Sequence, residues 1–268
     1  MEMRNFLLII LFSSCFHLSA QELEPEFEDL STNLWLSSYN KFRIAEKLYW
    51  AGEMHYRRVG STNTTPFVDR MAQIYNRHGL NYVVSPNFNF TVGGVLRLNF
   101  TPQPGNSDYD PIYIEPRIWH QYLFVLPFPR FMLYNRIRIE HRWKRGSLAA
   151  KDEFKFGNRW RYNFYMKIPI NGDKLKPGTF YFSPSVELIM QSGKSVVGSF
   201  VEDLRLYGNL GYIASPRVSS SMGLMYTTGQ NLNDPTLYRR RLIIRLSTYI
   251  SLDFRKEEQK IPTIKFSD

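Results

Sequence analysis

The feature that most constrains the fold is a run of residues, 131–144, in which apolar and charged side chains alternate. Successive side chains on a β-strand point to opposite faces, so a strand here has one mostly apolar face and one charged face. The charged face carries Arg136, Arg138, Glu140 and Arg142. A barrel in a lipid bilayer, apolar outside and polar inside, requires such strands.

The same alternation recurs along the chain. It is strong at 88–100, 154–168, 180–190 and 241–254, and weaker at 46–58, 67–84, 111–126, 200–214 and 217–228. Many of these runs exceed the roughly 5 to 6 residues that are usual in globular proteins. A strand that crosses a bilayer needs about 9 to 11 residues, and more where it projects beyond the lipid. The sequence therefore predicts an all-β protein: an up-and-down antiparallel transmembrane β-barrel with a polar, charged lumen.

The strand count follows from the connections, which alternate between tight turns and longer polar loops. Counting from residue 46 predicts about ten strands in a barrel at 46–254, with twelve as the alternative. Residues 31–41 also look extended, but an eleventh strand conflicts with the even count of bacterial barrels. We therefore interpret 21–45 as an N-terminal segment that is either an extra strand or a piece inside the lumen. Residues 255–268 form a polar C-terminal tail.

The N-terminus predicts export. Residues 1–20 contain Arg4, an apolar stretch at 6–12 and the small residue Ala20 before the expected cleavage site, which is typical of a signal peptide. A lipidated Cys15 is the alternative N-terminus. Export together with strand alternation predicts location in the outer membrane.

Composition excludes several classes of protein. Mean hydropathy is −0.34, too low for a helical membrane protein. The net charge of +10 suits nucleic acid in principle, but an exported chain does not meet it, so we expect no nucleic-acid partner. The only cysteine, Cys15, lies in the signal peptide, and no cofactor motif is present. We expect no metal and no cofactor.

Energy decides which face of each strand points inward. An Arg or Lys against lipid at the midplane costs about 2 to 4 kcal/mol, so the charged faces must line the lumen. Buried charges are normally paired, which predicts a network of arginines and carboxylates more plugged than open. The predicted lumenal network comprises Glu53, Arg57, Arg97, Glu115, Arg117, Arg136, Arg138, Glu140, Arg142, Arg159, Arg161, Glu187, Asp203, Arg205 and Arg245.

Aromatic residues near strand ends predict contact with the membrane interfaces. They are Trp50, Trp143, Trp160, Tyr212 and Phe254. Phe254 ends an alternating strand and is similar to the terminal aromatic by which such barrels are recognised for assembly. The expected partners are outer-membrane lipid, the barrel-assembly machinery during biogenesis, and a small solute.

Several short motifs, taken in their order along the chain, resemble an uncharacterised family of outer-membrane barrels from Bacteroidota, known as a domain of unknown function. They are Trp35, the run 138–143, Arg159 to Tyr162 followed by 167–169, Glu187, and 210–212 before a Ser-Pro turn. The resemblance covers most of the chain beyond the signal peptide. It implies an outer-membrane location and carries over no activity.

Three functions fit these observations. The first is a structural or small-solute transport protein with a lumen of paired Arg and Glu residues, porin-like in its fold. The second is an outer-membrane lipid-modifying enzyme with a rim histidine; His55, on the inward face with Glu53 and Arg57, is its weak catalytic candidate. The third is a soluble secreted β-barrel that binds a hydrophobic ligand. We expect a protein that is not an enzyme.

Overall fold

The structure is a computed structural model that describes residues 26–60, 66–145, 149, 152–194, 196, 198–231, 234 and 236–255. The predicted signal peptide at 1–20 and the alternative lipidation at Cys15 lie outside the described residues. So does the predicted tail beyond Arg255.

All regular structure in the described residues is β. The strands are β1 Glu26–Phe27, β2 Ser31–Arg43, β3 Leu48–Val59, β4 Arg70–Ser85, β5 Phe88–Phe100, β6 Ile112–Phe128, β7 Phe131–Arg145, β8 Phe154–Pro169, β9 Phe180–Gly193, β10 Val201–Ile213, β11 Val218–Gln230 and β12 Leu237–Asp253. No helix long and apolar enough to cross a bilayer occurs in this part of the chain.

Strands β2 to β12 form a closed barrel in sequence order, each antiparallel to the next. The barrel closes where β12 pairs with β2, in parallel, from Arg241 opposite Ser31 to Asp253 opposite Arg43. The short β1, which precedes β2 in the chain, also pairs in parallel with the start of β12. The barrel therefore has one parallel seam between its first and last strands.

The predicted strand count is corrected from ten, or twelve, to eleven in the closed barrel. The ten predicted strands are all present, and the additional strand is β2, which contains the extended segment 31–41. A two-residue β1 lies in the same sheet but outside the ring. Because eleven is odd, the first and last strands run in the same direction, so the barrel is mostly rather than wholly antiparallel.

The barrel has the opposite polarity to a water-soluble domain. Glu140 is 0% exposed and Arg117 is 2% exposed, whereas Ile118 is 52% exposed and Leu224 is 56% exposed. In soluble proteins Glu and Arg are almost never fully buried unless they are paired. The alternation in each strand therefore places charges inside the barrel and large apolar side chains on its outer surface.

Aromatic rings lie near both ends of the barrel. At the end with short turns, Phe42 contacts Trp50 at 5.0 Å and Phe254 at 5.3 Å between ring centroids. Tyr212 contacts Phe180 at 4.6 Å at the same end. At the end with longer loops, Trp143 lies 5.3 Å from Phe156, while Trp160 lies further into β8 with 42% of its surface exposed.

Candidate functional site

Glu140 on β7 is the centre of the charged interior. Its Oε1 accepts a hydrogen bond of 2.8 Å from Arg77 on β4, and its Oε2 accepts one of 2.6 Å from Arg117 on β6. Arg161 and Arg159 on β8 approach the same carboxylate at 3.5 and 3.8 Å. One carboxylate thus joins arginines from three other strands.

Glu53 extends this network across the interior. It forms ion pairs with Arg77 on the neighbouring strand β4 and with Arg138 on β7, the latter at 2.8 Å. Arg138 also donates to Gln121 Oε1 at 2.9 Å. Three strands separate β3 from β7 in the barrel wall. The Glu53–Arg138 pair therefore bridges the lumen rather than following the wall.

Glu187 on β9 gathers a second set of arginines. Arg136, Arg161 and Arg205 lie 2.8, 2.8 and 3.3 Å from its carboxylate. Arg205 also pairs with Asp203 at 2.7 Å. Since Arg161 contacts both Glu140 and Glu187, the two sets form one continuous layer, which we call the charge layer.

Two further carboxylates, each paired with two arginines, complete the charge layer. Glu115 accepts from Arg97 at 2.8 Å and lies 2.8 Å from Arg117. Glu202, which the sequence analysis did not predict, pairs with Arg159 and lies 3.2 Å from Arg142. The alternation of faces along β10 would place Glu202 on the outer surface. A β-bulge between Val201 and Asp203 breaks this alternation, so that the side chains of Glu202 and Asp203 are both buried.

An apolar cluster fills the remaining side of the barrel cross-section. Trp35 on β2, Met225 on β11 and Ile243 on β12 pack together and are all buried. The Arg57 guanidinium stacks on the Trp35 ring at 3.6 Å, and that of Arg205 lies 5.5 Å from the same ring. The cluster therefore abuts the charge layer, and together they draw side chains from all eleven barrel strands.

Arg57 and Arg245 differ from the other predicted network members. Within the described part of the chain, neither has a carboxylate oxygen within 4.0 Å. Arg57 donates to neutral acceptors, Gln73 Oε1 at 3.4 Å and the Tyr75 hydroxyl at 3.3 Å. Arg245 donates to the Tyr39 hydroxyl at 3.5 Å. The structure thus places both in the interior but not in ion pairs.

A cavity of about 210 Å³ adjoins the charge layer and extends toward the short-turn end, where Lys41, Asn89 and Tyr181 line it. Its wall combines polar and apolar surface and is strongly basic. The arginines that line it are Arg57, Arg77, Arg136, Arg138, Arg159, Arg161, Arg205 and Arg245, and the carboxylates are Glu53 and Glu187.

His55 is the one predicted catalytic candidate, and the structure places it in this cavity. It lies inside the barrel within β3, so the expectation of a histidine at the rim is corrected for this residue. Its Nδ1 is 2.9 Å from Ser37 Oγ on β2, and its Nε2 is 3.3 Å from Glu53 Oε2. Ser37 was missed because only the register of β2 against β3, Ser37 opposite His55, brings the two together.

The described residues contain no group of three or more His, Cys, Asp or Glu side chains arranged to hold a metal ion. The described cavity wall presents guanidinium, ammonium, carboxylate, carboxamide and hydroxyl groups, together with the His55 imidazole.

These features define a closed all-β barrel with a charged, filled cross-section. The chain belongs to the family described as "Protein of unknown function (DUF2490)", whose model matches residues 32–238. No curated protein matches the sequence significantly. Among solved structures, the barrel is similar to "LpxR from Salmonella typhimurium", with 8% sequence identity and a TM-score of 0.43 over 75% of this chain and 83% of that chain. A likeness this distant carries no argument about activity.

Proposed function

We propose that this protein is an outer-membrane β-barrel with a closed lumen, acting as a structural component or as a binder of a small solute that enters from one end. One observation carries the proposal: the barrel buries its charges and exposes its large apolar side chains. Water penalises such a surface, whereas lipid favours it. Signal-directed export and an origin in Bacteroidota remain predictions from the sequence.

The closed cross-section favours binding over passive diffusion. Three side chains of the charge layer, Arg77, Arg138 and Glu187, have at most 3% of their surface exposed. Trp35 and Met225 fill the opposite side. A water-filled pore needs polar side chains that water can reach. The cavity beside the layer is therefore a pocket on its short-turn side rather than part of a continuous pore.

The soluble alternative fits the structure poorly. A barrel that binds a hydrophobic ligand needs an apolar interior, as pockets for such ligands are lined mainly by apolar side chains. Here arginines line the cavity and apolar side chains such as Leu206 and Leu210 cover the outside. The polarity is thus reversed from what this function requires.

The proposal is tested on the purified full chain. We expect extraction from the outer-membrane fraction only with detergent, and a gel band that shifts on boiling as the barrel unfolds. In planar bilayers we expect no steady open-pore conductance, because the charge layer excludes water. A chain that stays soluble without detergent contradicts the membrane location, and a steady conductance contradicts the closed lumen.

Trp35→Ala should open the barrel on its apolar side. Removing the indole leaves a gap beside Met225 and frees the Arg57 guanidinium from its stack, so we expect conductance steps absent from the wild type. Trp50→Ala is the matched control, since Trp50 lies on the outer face near Phe42. This variant should show no conductance steps. Equal conductance in both variants contradicts the role of Trp35 in closing the lumen.

A second candidate function follows from the Ser37–His55–Glu53 row. Nucleophilic catalysis needs a hydroxyl beside a base that a third group orients, and these three side chains meet at 2.9 and 3.3 Å. The imidazole would take the Ser37 proton as the oxygen attacks an ester carbonyl, and the Glu53 carboxylate would stabilise the imidazolium. The imidazolium would then protonate the leaving alcohol as the ester C–O bond breaks, and water would hydrolyse the acyl-Ser37 that remains. Because Glu53 also neutralises Arg77 and Arg138, its structural role in the charge layer ranks first.

A fluorophosphonate probe tests this candidate. If Ser37 is a nucleophile, the wild-type barrel becomes labelled, while Ser37→Ala abolishes the labelling and His55→Ala reduces it about a hundredfold or more. Ser183→Ala, which removes another hydroxyl from the cavity wall, is the control and should label like the wild type. If the wild type is not labelled at any pH from 6 to 9, the Ser37–His55–Glu53 row has only a structural role.

A further inference from the structure

We propose that Arg57 and Arg245 bind a small phosphate-bearing anion in the barrel cavity. This inference deepens the proposed function, because it rests on the cavity being the place where a solute binds.

Eight arginines line the cavity, and they share few carboxylates. In the described residues, five carboxylates lie within 4.0 Å of any of them: Glu53 and Glu187 in the wall, and Glu140, Glu202 and Asp203 behind it. Glu140 and Glu202 are also shared with Arg117 and Arg142, outside the wall. The cavity wall therefore carries excess positive charge, and buried charge without a counter-charge is costly.

Among these eight arginines, Arg57 and Arg245 are the two without a carboxylate oxygen within 4.0 Å in the described residues. Arg57 and Arg245 stand on either side of Trp35, each directly opposite it in the strand register. Neighbouring strands are about 4.8 Å apart, so the two Cα atoms are separated by about 10 Å on the same inner face. Both side chains line the cavity. Each reaches only neutral hydroxyl or amide acceptors, at 3.3 to 3.5 Å, and each has a buried Nε without an acceptor.

Aromatic rings hold these guanidinium groups in place. Arg57 lies 3.6 Å from the Trp35 ring and 4.4 Å from the Tyr75 ring, while Arg245 lies 4.9 Å from the Tyr207 ring. Stacking orients a guanidinium without neutralising its charge or occupying its in-plane donors. The in-plane donors that each guanidinium keeps suit the oxygens of phosphate, which accepts paired bonds from arginine and carries enough charge to offset both.

The size of the cavity sets the class of ligand. A volume of about 210 Å³ has room for a small anion together with water molecules. Two sources offer this chemistry: free phosphate compounds and the headgroup of a phospholipid. Both present the same phosphate oxygens to Arg57 and Arg245.

Thermal unfolding of the full-length barrel in detergent tests the inference. A ligand that binds only the folded state raises its stability with concentration. We expect inorganic phosphate to raise the unfolding midpoint more than chloride of equal ionic strength. Arg57→Gln and Arg245→Gln should each weaken the apparent phosphate affinity by about tenfold or more, because each removes charged hydrogen bonds. Arg217→Gln, in an exposed turn, is the control and should respond like the wild type.

A second arm uses short-chain phosphatidic acid in the same detergent. Stabilisation by phosphate alone indicates a free anion, and stabilisation by phosphatidic acid, with or without stabilisation by phosphate, indicates that the site accepts a lipid headgroup. If neither probe exceeds chloride, or if the double variant Arg57→Gln/Arg245→Gln responds like the wild type, the site does not exist. The readout is independent of bilayer conductance, so failure of the anion site and failure of the closed outer-membrane barrel are distinguishable.

In phosphate-free buffer these variants give a further readout. A merely structural arginine stabilises the barrel, so its replacement lowers the unfolding midpoint. An anion-binding arginine repels its basic neighbours when no anion is bound, so Arg245→Gln should leave the midpoint unchanged or raise it. A lower midpoint for Arg245→Gln in the absence of anion, together with an unaltered phosphate response, overturns the proposal.

Discussion

Glu140→Gln lowers the free energy of unfolding by about 3 to 5 kcal/mol, the usual cost of removing one partner from a buried ion pair. The substitution keeps the shape of the side chain but removes the charge that Arg77 and Arg117 contact at 2.8 and 2.6 Å. Arg159 and Arg161 lose the same counter-charge. Urea unfolding of the barrel in phospholipid vesicles, followed by tryptophan fluorescence, measures the loss.

Glu46→Gln is the matched control for Glu140→Gln. Glu46 lies exposed in the turn between β2 and β3, so its replacement should change the unfolding free energy by no more than about 0.5 kcal/mol. If the two variants unfold at the same urea concentration, the charge layer contributes little to stability and the ion pairs are not what holds the interior together.

Leu224→Arg should lower stability in a bilayer by about 2 to 4 kcal/mol and reduce the amount of assembled barrel. Leu224 is at the middle of β11, opposite Gly208 and Ile244, and 56% of its surface is exposed. In water this exposed position would accept arginine at little cost. In a membrane the guanidinium would face hydrocarbon, so the same substitution separates the two environments. Heat-dependent gel migration of barrels refolded into vesicles measures the folded fraction.

Val68→Arg makes this comparison specific. Val68 is also exposed, at 43%, but it lies in the connection between β3 and β4, beyond the strands. We expect it to assemble like the wild type. Equal assembly of the Leu224 and Val68 variants argues that the outer surface of the barrel does not contact lipid.

Sequence alternation was sufficient to predict the fold class and the faces of most strands. The runs that contain Arg138, Glu140 and Arg161 become long strands of a barrel, because a period of two residues specifies one face for every side chain. The same rule fails at Glu202, where one extra residue in a bulge turns two successive acidic side chains inward. A bulge leaves no clear mark on the hydrophobic pattern.

Pairing between strands could not be predicted in the same way. Alternation places Arg57 and Arg245 inside, but it does not show that both flank Trp35 while lacking carboxylates, since that depends on the register of β2 against β3 and β12. The Ser37–His55 contact has the same origin. The strand count failed for a different reason: an assumed even number of strands outweighed the extended pattern in 31–41, which forms most of β2.

The odd number of strands has a consequence for the topology of the chain. In a barrel with an even number of strands, the start of the first strand and the end of the last strand lie at the same rim. A short linker could therefore join them, and the chain could be opened at another loop. Here β2 begins beside Arg241 and β12 ends beside Arg43, thirteen paired residues away. At about 3.3 Å per residue along a parallel strand, the two ends of the ring are roughly 40 Å apart. A circularly permuted chain would have to send its linker through the filled interior or across the apolar outer wall, so the odd number of strands fixes their order in this barrel.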